Sequence, residues 1–437
     1  MFTSQPRQRS LQFTTASTTT SATTTMALTR LPTELLEIII THTLPEGFES
    51  VALTCRKIHA ISTPFIQRHS TLRSRFHNFN YYENTTDWIN TIRTAFDVIT
   101  RIAVEPIVAR YIRHADFAQD SKFTRGRPRE LLADVHCGGA VLRLLADSPY
   151  LEQAGLDWQE FYAKIEEDLQ AVRYSQLAAS FLMMLLPNVE TLTLPRKWKP
   201  LDATDKLTDA IVRKANQSHL PDDRPSLAQV TRFELSVSLV RQDWFDLDWV
   251  NPLLALPHIQ SFYGPSCVAI GDDGHKNIAS NNPEGGFGKT LIVVDLMSCC
   301  TNEVGIADFL QHTTRLKTLR YSHVTKAHSG HRNWNICKFI TAIERKMGSH
   351  LEELPVSIRQ LRGSIASGKE SMRGFQRLRK LEFPLELAVC NITAGTACRA
   401  ATTPNKSLVV GDGPTDGHHE LDDDEPFISD LVPASVS

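Results

Sequence analysis

The chain has 437 residues, of which 41% are hydrophobic and 22% charged, values that are ordinary for a globular protein. This length allows two or three domains and needs no disulfide or metal to complete a core. Lys and Arg number 47 and Asp and Glu 49, so the broad basic footprint of a nucleic-acid-binding protein is absent. The longest apolar run, Phe181 to Leu186, is far shorter than the ~20 residues that cross a bilayer. We therefore predict a soluble protein with neither nucleic-acid nor membrane partners.

Cysteine usage indicates a reducing compartment. None of the eight cysteines forms a Cys-x-x-Cys pair, and the N-terminus lacks the apolar segment of a secretory signal. We expect the cytoplasm, the nucleus or both. His328, His331 and Cys337 are ligand types, but their spacing does not fit a four-ligand zinc site, so neither metal nor cofactor is predicted.

Residues 1–27 are rich in Thr and Ser and are predicted to be a disordered leader. A mitochondrial transit peptide is the less favoured alternative, because Thr runs form poor amphipathic helices. Met26 directly precedes the first predicted helix, so translation could start at Met1 or at Met26.

Residues 28–75 are predicted to form a compact unit of three helices. Pro32 suits a first helical turn, and Glu34 is favourable near the positive end of the helix dipole. The first helix carries more apolar residues than one face holds, namely Leu35, Leu36, Ile38, Ile39 and Ile40. Either a partner protein covers the surplus, or the helices predicted within residues 85–187 do. From the residues alone the two readings are equal.

Residues 76–185 show mainly helical periodicity and are predicted to be a helical connector. From residue 186 to 390 a strand frame, apolar-x-x-apolar-x-apolar, recurs at irregular intervals. Its apolar positions are Val189, Leu192 and Leu194; Val230, Phe233 and Leu235; Ile259 and Phe262; Leu316, Leu319 and Tyr321; Leu351, Leu354 and Val356; and Leu378, Leu381 and Phe383. The frame resembles that of leucine-rich repeats and predicts an irregular solenoid. The alternative is an ordinary α/β domain whose strands begin alike by chance.

One helix between the strands is clear from its periodicity. Apolar residues lie on one face of residues 336–347, and Gly348 can end the helix. Residues 391–437 are predicted to be a polar and acidic tail, or a repeat that has been cut short.

The N-terminal motif resembles a known family. Leu31-Pro-x-Glu-Leu-Leu, then Leu44-Pro, then Val51-Ala-Leu-Thr-Cys-Arg-Lys-Ile58 is similar to the F-box of fungal proteins over about 40 residues. The fold implied is mixed α/β: a three-helix F-box, the helical connector and the leucine-rich-repeat-like solenoid. Gly47, where the family usually has an acid, and Ile58, where an aromatic is frequent, depart from the motif.

The resemblance implies the substrate-recognition subunit of an SCF (Skp–cullin–F-box) E3 ubiquitin ligase. The F-box would bind the Skp-type adaptor and through it the cullin ligase, and the C-terminal region would recruit an unknown target protein. Residues carried over as adaptor contacts are Leu31, Pro32, Leu35, Ile39, Val51, Leu53, Cys55, Arg56 and Ile58. Candidate target-binding residues, which alternate with the buried strand positions, are Arg232, Glu234, Arg320 and Glu382.

No catalytic motif is present in the sequence. Gly285-Gly-Phe-Gly-Lys-Thr290 lacks the first glycine of a phosphate-binding loop and precedes an apolar segment, which favours a loop followed by a strand. We therefore predict a non-catalytic receptor. The alternatives are a scaffold that holds the adaptor without joining a cullin ligase and, more remotely, an enzyme with an unrecognised site.

Overall fold

The computed structural model describes residue 28 and residues 30–81, 92–120, 139–217, 224–236, 244–270, 286–326, 334–361 and 373–383. The predicted leader (1–27) and tail (391–437) lie outside these residues. The described helices are α1 Thr33–Thr43, α2 Phe48–Ala52, α3 Arg56–Phe76, α4 Ala95–Val104, α5 Ile107–Tyr111, α6 Ala140–Ala146, α7 Pro149–Gln153, α8 Trp158–Gln170, α9 Gln176–Met184, α10 Asp202–Gln217, α11 Glu303–Leu310 and α12 Ile336–Met347.

Eleven strands in the described residues form a single sheet. They are β1 Asn78–Asn80, β2 His114–Asp116, β3 Thr191–Thr193, β4 Arg232–Glu234, β5 Phe245–Asp246, β6 Ser261–Tyr263, β7 Cys267–Ala269, β8 Val293–Thr301, β9 Thr318–Val324, β10 Glu353–Gln360 and β11 Lys380–Glu382. Nine of them lie side by side in the order β1-β2-β3-β4-β6-β8-β9-β10-β11, while β7 pairs with β5 and with β8. Every pairing is parallel.

The core lies on one face of this sheet. The second residues of eight strands are in register and form one buried row, each at most 3% exposed: Phe79, Ala115, Leu192, Phe233, Phe262, Val294, Leu319 and Leu354. Helices cover this face, because a parallel strand must return through a crossover connection. The residues on either side of the row point the other way and form an open face.

The helix predicted between the strands is confirmed at α12, Ile336–Met347. Its apolar face is buried, and Asn335 caps its start by accepting a hydrogen bond from the Lys338 backbone N–H at 3.0 Å. The six strand frames of the sequence coincide with β3, β4, β6, β9, β10 and β11. The segment after Thr290 is also extended, as expected, because β8 begins at Val293.

The predicted architecture of a helical F-box domain, a helical connector and a leucine-rich-repeat solenoid is nevertheless wrong. The described residues form an α/β fold on one all-parallel sheet, which is the alternative that the sequence left open. Strands β1 and β2 fall inside the predicted connector and belong to the sheet. Leu72 and Phe76 of α3 lie in the same large core as the sheet.

The connections between strands also lack a common unit. At least four helices separate β2 from β3, whereas the described part of the connection from β3 to β4 contains one helix. Two short 3-10 turns and β5 occupy the next connection, before β6. A solenoid requires each turn of the chain to repeat the one before it.

Candidate functional site

The first three helices build a small core of their own beside the sheet. Its buried side chains are Ile40, Leu44, Phe48, Ala52 and Ile58. Leu36 and Ile40 of α1, one helical turn apart, are each 1% exposed. The helix therefore buries one side only, and its other side faces outward.

That outer side of α1 is apolar. Leu35 is 46% exposed and Ile38 is 53% exposed, and we call these two side chains the α1 patch. The described helices within residues 92–187 leave these two side chains exposed. Four of the eight exposed large hydrophobic side chains in the described part of the chain lie within residues 33–76, namely Leu35, Ile38, Leu53 and Ile66. A contiguous exposed apolar patch marks a protein-binding surface, and Leu35 and Ile38 are neighbours on one helix.

A groove of about 600 Å³ runs between α2 and α3. Its lining consists of Phe48, Glu49, Ala52, Leu53, His59, Ile66, His69, Ser70, Arg73 and Ser74. We call it the α2–α3 groove. Leu53, which ends α2, is 78% exposed and is the most exposed of the eight large hydrophobic side chains.

The groove lies along a basic helix. No Asp or Glu occurs between Ser50 and Tyr81. The Lys and Arg residues of α3 are Arg56, Lys57, Arg68, Arg73 and Arg75. Arg73 pairs with Glu49 and Arg68 pairs with Glu105, and both arginines remain about half exposed. The surplus of positive charge favours the approach of an acidic surface.

His69 closes the bottom of the groove. It is 7% exposed, its Nδ1 lies 2.8 Å from the Tyr111 hydroxyl, and its Nε2 lies 3.6 Å from Glu49 Oε1. Burial lowers the pKa of the His69 ring, which outweighs the opposite effect of the Glu49 carboxylate. Burial therefore favours the neutral form of the His69 ring.

Glu46 fixes these helices to the sheet. Its carboxylate accepts hydrogen bonds from Asn188 at 2.6 Å, from Arg224 at 2.8 Å and from Arg110 at 2.5 Å. Burial raises the pKa of Glu46, but the hydrogen bonds, with that of Arg110 the largest, outweigh it and leave the pKa below its ordinary value. The carboxylate stays charged and holds three distant segments together.

The structure separates the nine carried-over adaptor contacts into three groups. Exposed are Pro32, Leu35, Leu53 and Arg56; half-buried are Leu31, Ile39, Val51 and Cys55; buried is Ile58. Ile58 is 2% exposed and belongs to the small core, so its side chain is not available to a partner. Ile38 and Ile66 are exposed but were not singled out as contacts by the sequence, although Ile38 lies one helical turn after Leu35.

The four candidate target-binding residues lie on the open face of the sheet. Arg232 and Glu234 form an ion pair on β4, and Glu382 pairs with Lys380 at 3.0 Å on β11. Arg320 on β9 is exposed and lies 3.9 Å from Glu353. They are spread along the sheet rather than gathered at one point.

Two further residues lie between them in the same register row. Tyr263 is opposite Glu234, and Asp295 lies between Tyr263 and Arg320. Burial raises the pKa of Asp295, and its Oδ1 is buried without a hydrogen-bond partner. The pKa of Tyr263 is raised by burial and then by the Asp295 and Glu234 charges. Tyr263 and Asp295 each come directly after the buried strand residue of the frame, as Glu234 does. In the sequence this rule was applied to Glu234 but not to these two residues.

Within the described residues, no group of three His, Cys, Asp or Glu side chains is arranged to hold a metal ion. His328 and His331 lie outside those residues. In the same part of the chain, none of the helices combines the length and the apolar character needed to cross a membrane.

A comparison of the whole chain with protein-family models and with curated protein sequences finds no match. The α1 patch, the α2–α3 groove and the open face of the sheet are the surfaces through which the protein can bind others.

Proposed function

We propose that this protein is a substrate-recognition subunit of an SCF E3 ubiquitin ligase. Its N-terminal helices, whose sequence resembles an F-box, bind the Skp-type adaptor, and the open face of the sheet recruits the protein to be ubiquitylated. The observation that carries the proposal is the exposure of Leu35, Ile38 and Leu53 on helices that already have a core. The protein makes no bond itself and acts by holding its target near the transferring enzyme.

The free energy gained by burying the exposed apolar side chains shows how much the adaptor must contribute through other contacts. Burying a fully exposed Leu or Ile side chain contributes ~1.5–3 kcal/mol. The four exposed apolar side chains of the patch and groove are Leu35, Ile38, Leu53 and Ile66. On average they are about half exposed, so burying them together contributes roughly 3–6 kcal/mol. Association costs ~4–15 kcal/mol. The adaptor must therefore also form polar contacts, for which the basic residues of α3 are available.

The target-binding role is assigned to the open face because one row on it combines acidic, phenolic and basic side chains that are exposed or half-buried. Glu234, Tyr263, Asp295 and Arg320 follow one another on neighbouring strands. Adjacent parallel strands lie about 4.8 Å apart, so an extended segment of a target can contact all four side chains. Replacing Tyr263 and Asp295 by Ala is expected to reduce target capture and to leave adaptor binding unchanged.

The test is co-expression of the full chain with a fungal Skp-type adaptor, followed by size-exclusion chromatography and calorimetry. We expect a one-to-one complex. The double variant Leu35→Ser, Ile38→Ser is expected to weaken adaptor binding by about tenfold or more, which corresponds to ~1.4 kcal/mol. The control is Leu201→Ser, whose side chain is 45% exposed but lies outside the N-terminal helices. Equal effects of the two changes would contradict the proposed surface.

A second measurement separates a ligase receptor from an adaptor-bound scaffold. In one experiment the purified adaptor complex is mixed with the cullin. In another the protein is recovered, with its bound partners, from cells grown with and without a proteasome inhibitor. A receptor joins the cullin and gains ubiquitylated partners when the proteasome is blocked. A complex that holds the adaptor but ignores the cullin would show the scaffold instead.

A further inference from the structure

Two buried thiols lie opposite each other on neighbouring strands, away from the N-terminal helices. Strands β7 and β8 are parallel with Val268 opposite Cys300, which places Cys267 opposite Cys299. Both cysteines are 0% exposed and both are free thiols. Adjacent parallel strands are about 4.8 Å apart, which lies inside the Cα separation of roughly 4.4–6.8 Å that a disulfide spans.

The hydrogen bonds at this position connect the two residues directly. The Cys267 backbone N–H donates to Cys299 Sγ at 3.2 Å. A hydrogen bond between the two thiols, together with burial, raises the pKa of Cys267. The Cys299 thiol also donates to the Gly264 carbonyl at 3.1 Å. The backbone of Cys267 and the thiol of Cys299 are therefore in direct contact across the strand pair.

The backbone beside both cysteines is irregular. Strand β8 changes register with β9 between Leu296 and Cys299, and Ser298 between them has a φ of 56°. Ser266, next to Cys267, has a φ of 60°. These conformations are rare for residues other than glycine and mark a strained turn on each strand.

We propose that Cys267 and Cys299 are an oxidation site that forms a disulfide when the protein meets a hydroperoxide. When local opening of the strand pair exposes it, one thiol releases its proton, and the thiolate breaks the O–O bond of the peroxide. The sulfur becomes a sulfenic acid, and the departing hydroxide takes up the proton and leaves as one water molecule. The second thiol attacks that sulfur, forms the S–S bond and releases the hydroxyl as a second water molecule. The two sulfur atoms lose two electrons and two protons in total, and the peroxide gains both. The new bond ties β7 to β8 beside the row that contains Tyr263 and Asp295.

The test is treatment of the folded full chain with hydrogen peroxide, quenching, denaturation, alkylation and non-reducing peptide mapping. Trypsin places Cys267 on residues 242–276 and Cys299 on residues 290–315, and neither peptide contains an internal Lys or Arg. We expect these two peptides to be linked and two of the eight cysteines to escape alkylation. Cys299→Ser is expected to abolish the link, whereas the matched variant Cys300→Ser keeps it.

Two results would overturn the proposal. In one, the two peptides stay unlinked in treated protein whose folded state is verified by its thermal unfolding. In the other, the link survives Cys299→Ser and is lost in Cys300→Ser. Should Cys299→Ser fail to fold, fragmentation of the linked peptide from the unsubstituted chain distinguishes Cys299 from Cys300. The same treatment in urea shows whether the pairing depends on the folded sheet.

Discussion

The side-chain amide of Asn188 donates a hydrogen bond of 2.6 Å to Glu46, which lies 142 residues earlier in the chain. Glu46 belongs to the loop between α1 and α2, and Asn188 lies just before β3. The Asn188 amide also reaches the backbone carbonyl of Arg110 at 2.8 Å. The contact therefore fixes the orientation of the N-terminal helices, with their exposed apolar side chains, relative to the sheet.

Replacing Glu46 by Ala should destabilise the protein. The change leaves Arg110 and Asn188 without their shared acceptor. Removing one partner of a buried ion pair costs ~3–5 kcal/mol, and because the Glu46 side chain is 19% exposed we expect about 2–4 kcal/mol. Urea unfolding followed by circular dichroism measures this free energy.

The matched control for Glu46 is Glu190→Ala. Glu190 also pairs with an arginine, Arg113, at 3.0 Å, but its side chain is 48% exposed. An exposed pair contributes about 0–1 kcal/mol. Equal losses for the two variants would show that Glu46 does not hold the segments together.

Neighbouring leucines of α1 are expected to separate stability from binding. Leu36 is 1% exposed, so Leu36→Ala should lower the free energy of unfolding by ~2–5 kcal/mol. Leu35 is 46% exposed, so Leu35→Ala should change stability by about 0.5 kcal/mol or less, yet weaken adaptor binding. Unfolding curves and calorimetric titration of both variants check this. An unchanged adaptor affinity in a folded Leu35→Ala variant would exclude Leu35 from the interface.

Much of the sheet was accessible from the sequence because its strands share one pattern. The frame that located six strands also fits Phe76, Phe79 and Tyr81, and it fits Ile112, Ala115 and Phe117, all of them buried. These two frames coincide with β1 and β2 but lie among helical segments, where apolar residues recur because one face of each helix is buried. Three-residue strands carry too few positions to outweigh that helical background. Strands β1 and β2 were therefore missed in the sequence, and too few strands were predicted.

The functional surface was predictable only in part. An apolar surplus on α1 could be counted, but which side chains are exposed depends on the direction from which the small core approaches. That direction places Ile58 inside and Ile38 outside. Glu46 gave no signal, because its partners Arg110, Asn188 and Arg224 are distant in sequence and are brought together only by the folded sheet.

Two glycines should respond oppositely to a methyl group. A Cβ at Gly305 would lie 2.1 Å from the carbonyl oxygen of Ala269, so α11 would have to move away from β7. Gly305→Ala is expected to cost about 1–3 kcal/mol or more. At Gly47 the nearest atoms, on Thr43, would be 3.6 Å away, and φ is −100°. Gly47→Ala should be neutral or should stabilise the protein by up to ~1 kcal/mol. Urea unfolding of both variants decides, and a neutral Gly305→Ala would mean that α11 and β7 are further apart.

Asp120 has a buried carboxyl group that contacts the first residue of α4, Ala95. Asp120 is 4% exposed, and its Oδ1 accepts a hydrogen bond from the Ala95 backbone N–H at 2.9 Å. Its Oδ2 is buried without a hydrogen-bond partner. Burial raises the pKa of Asp120 to about 7, against the smaller lowering effect of the Ala95 hydrogen bond.

A raised pKa makes stability depend on pH in a defined direction. Between about pH 4 and pH 7 the unfolded chain has released this proton while the folded chain still holds it. The contribution of Asp120 to stability is therefore complete below pH 4 and declines by ~1.4 kcal/mol per pH unit until about pH 7. Asp120→Asn removes this dependence and still offers an oxygen to Ala95. We expect the variant to gain stability relative to the unsubstituted protein from pH 5 to pH 7 and to keep a constant difference above pH 8. Parallel stability curves across this range would show that the Asp120 carboxyl is already ionised in the folded protein.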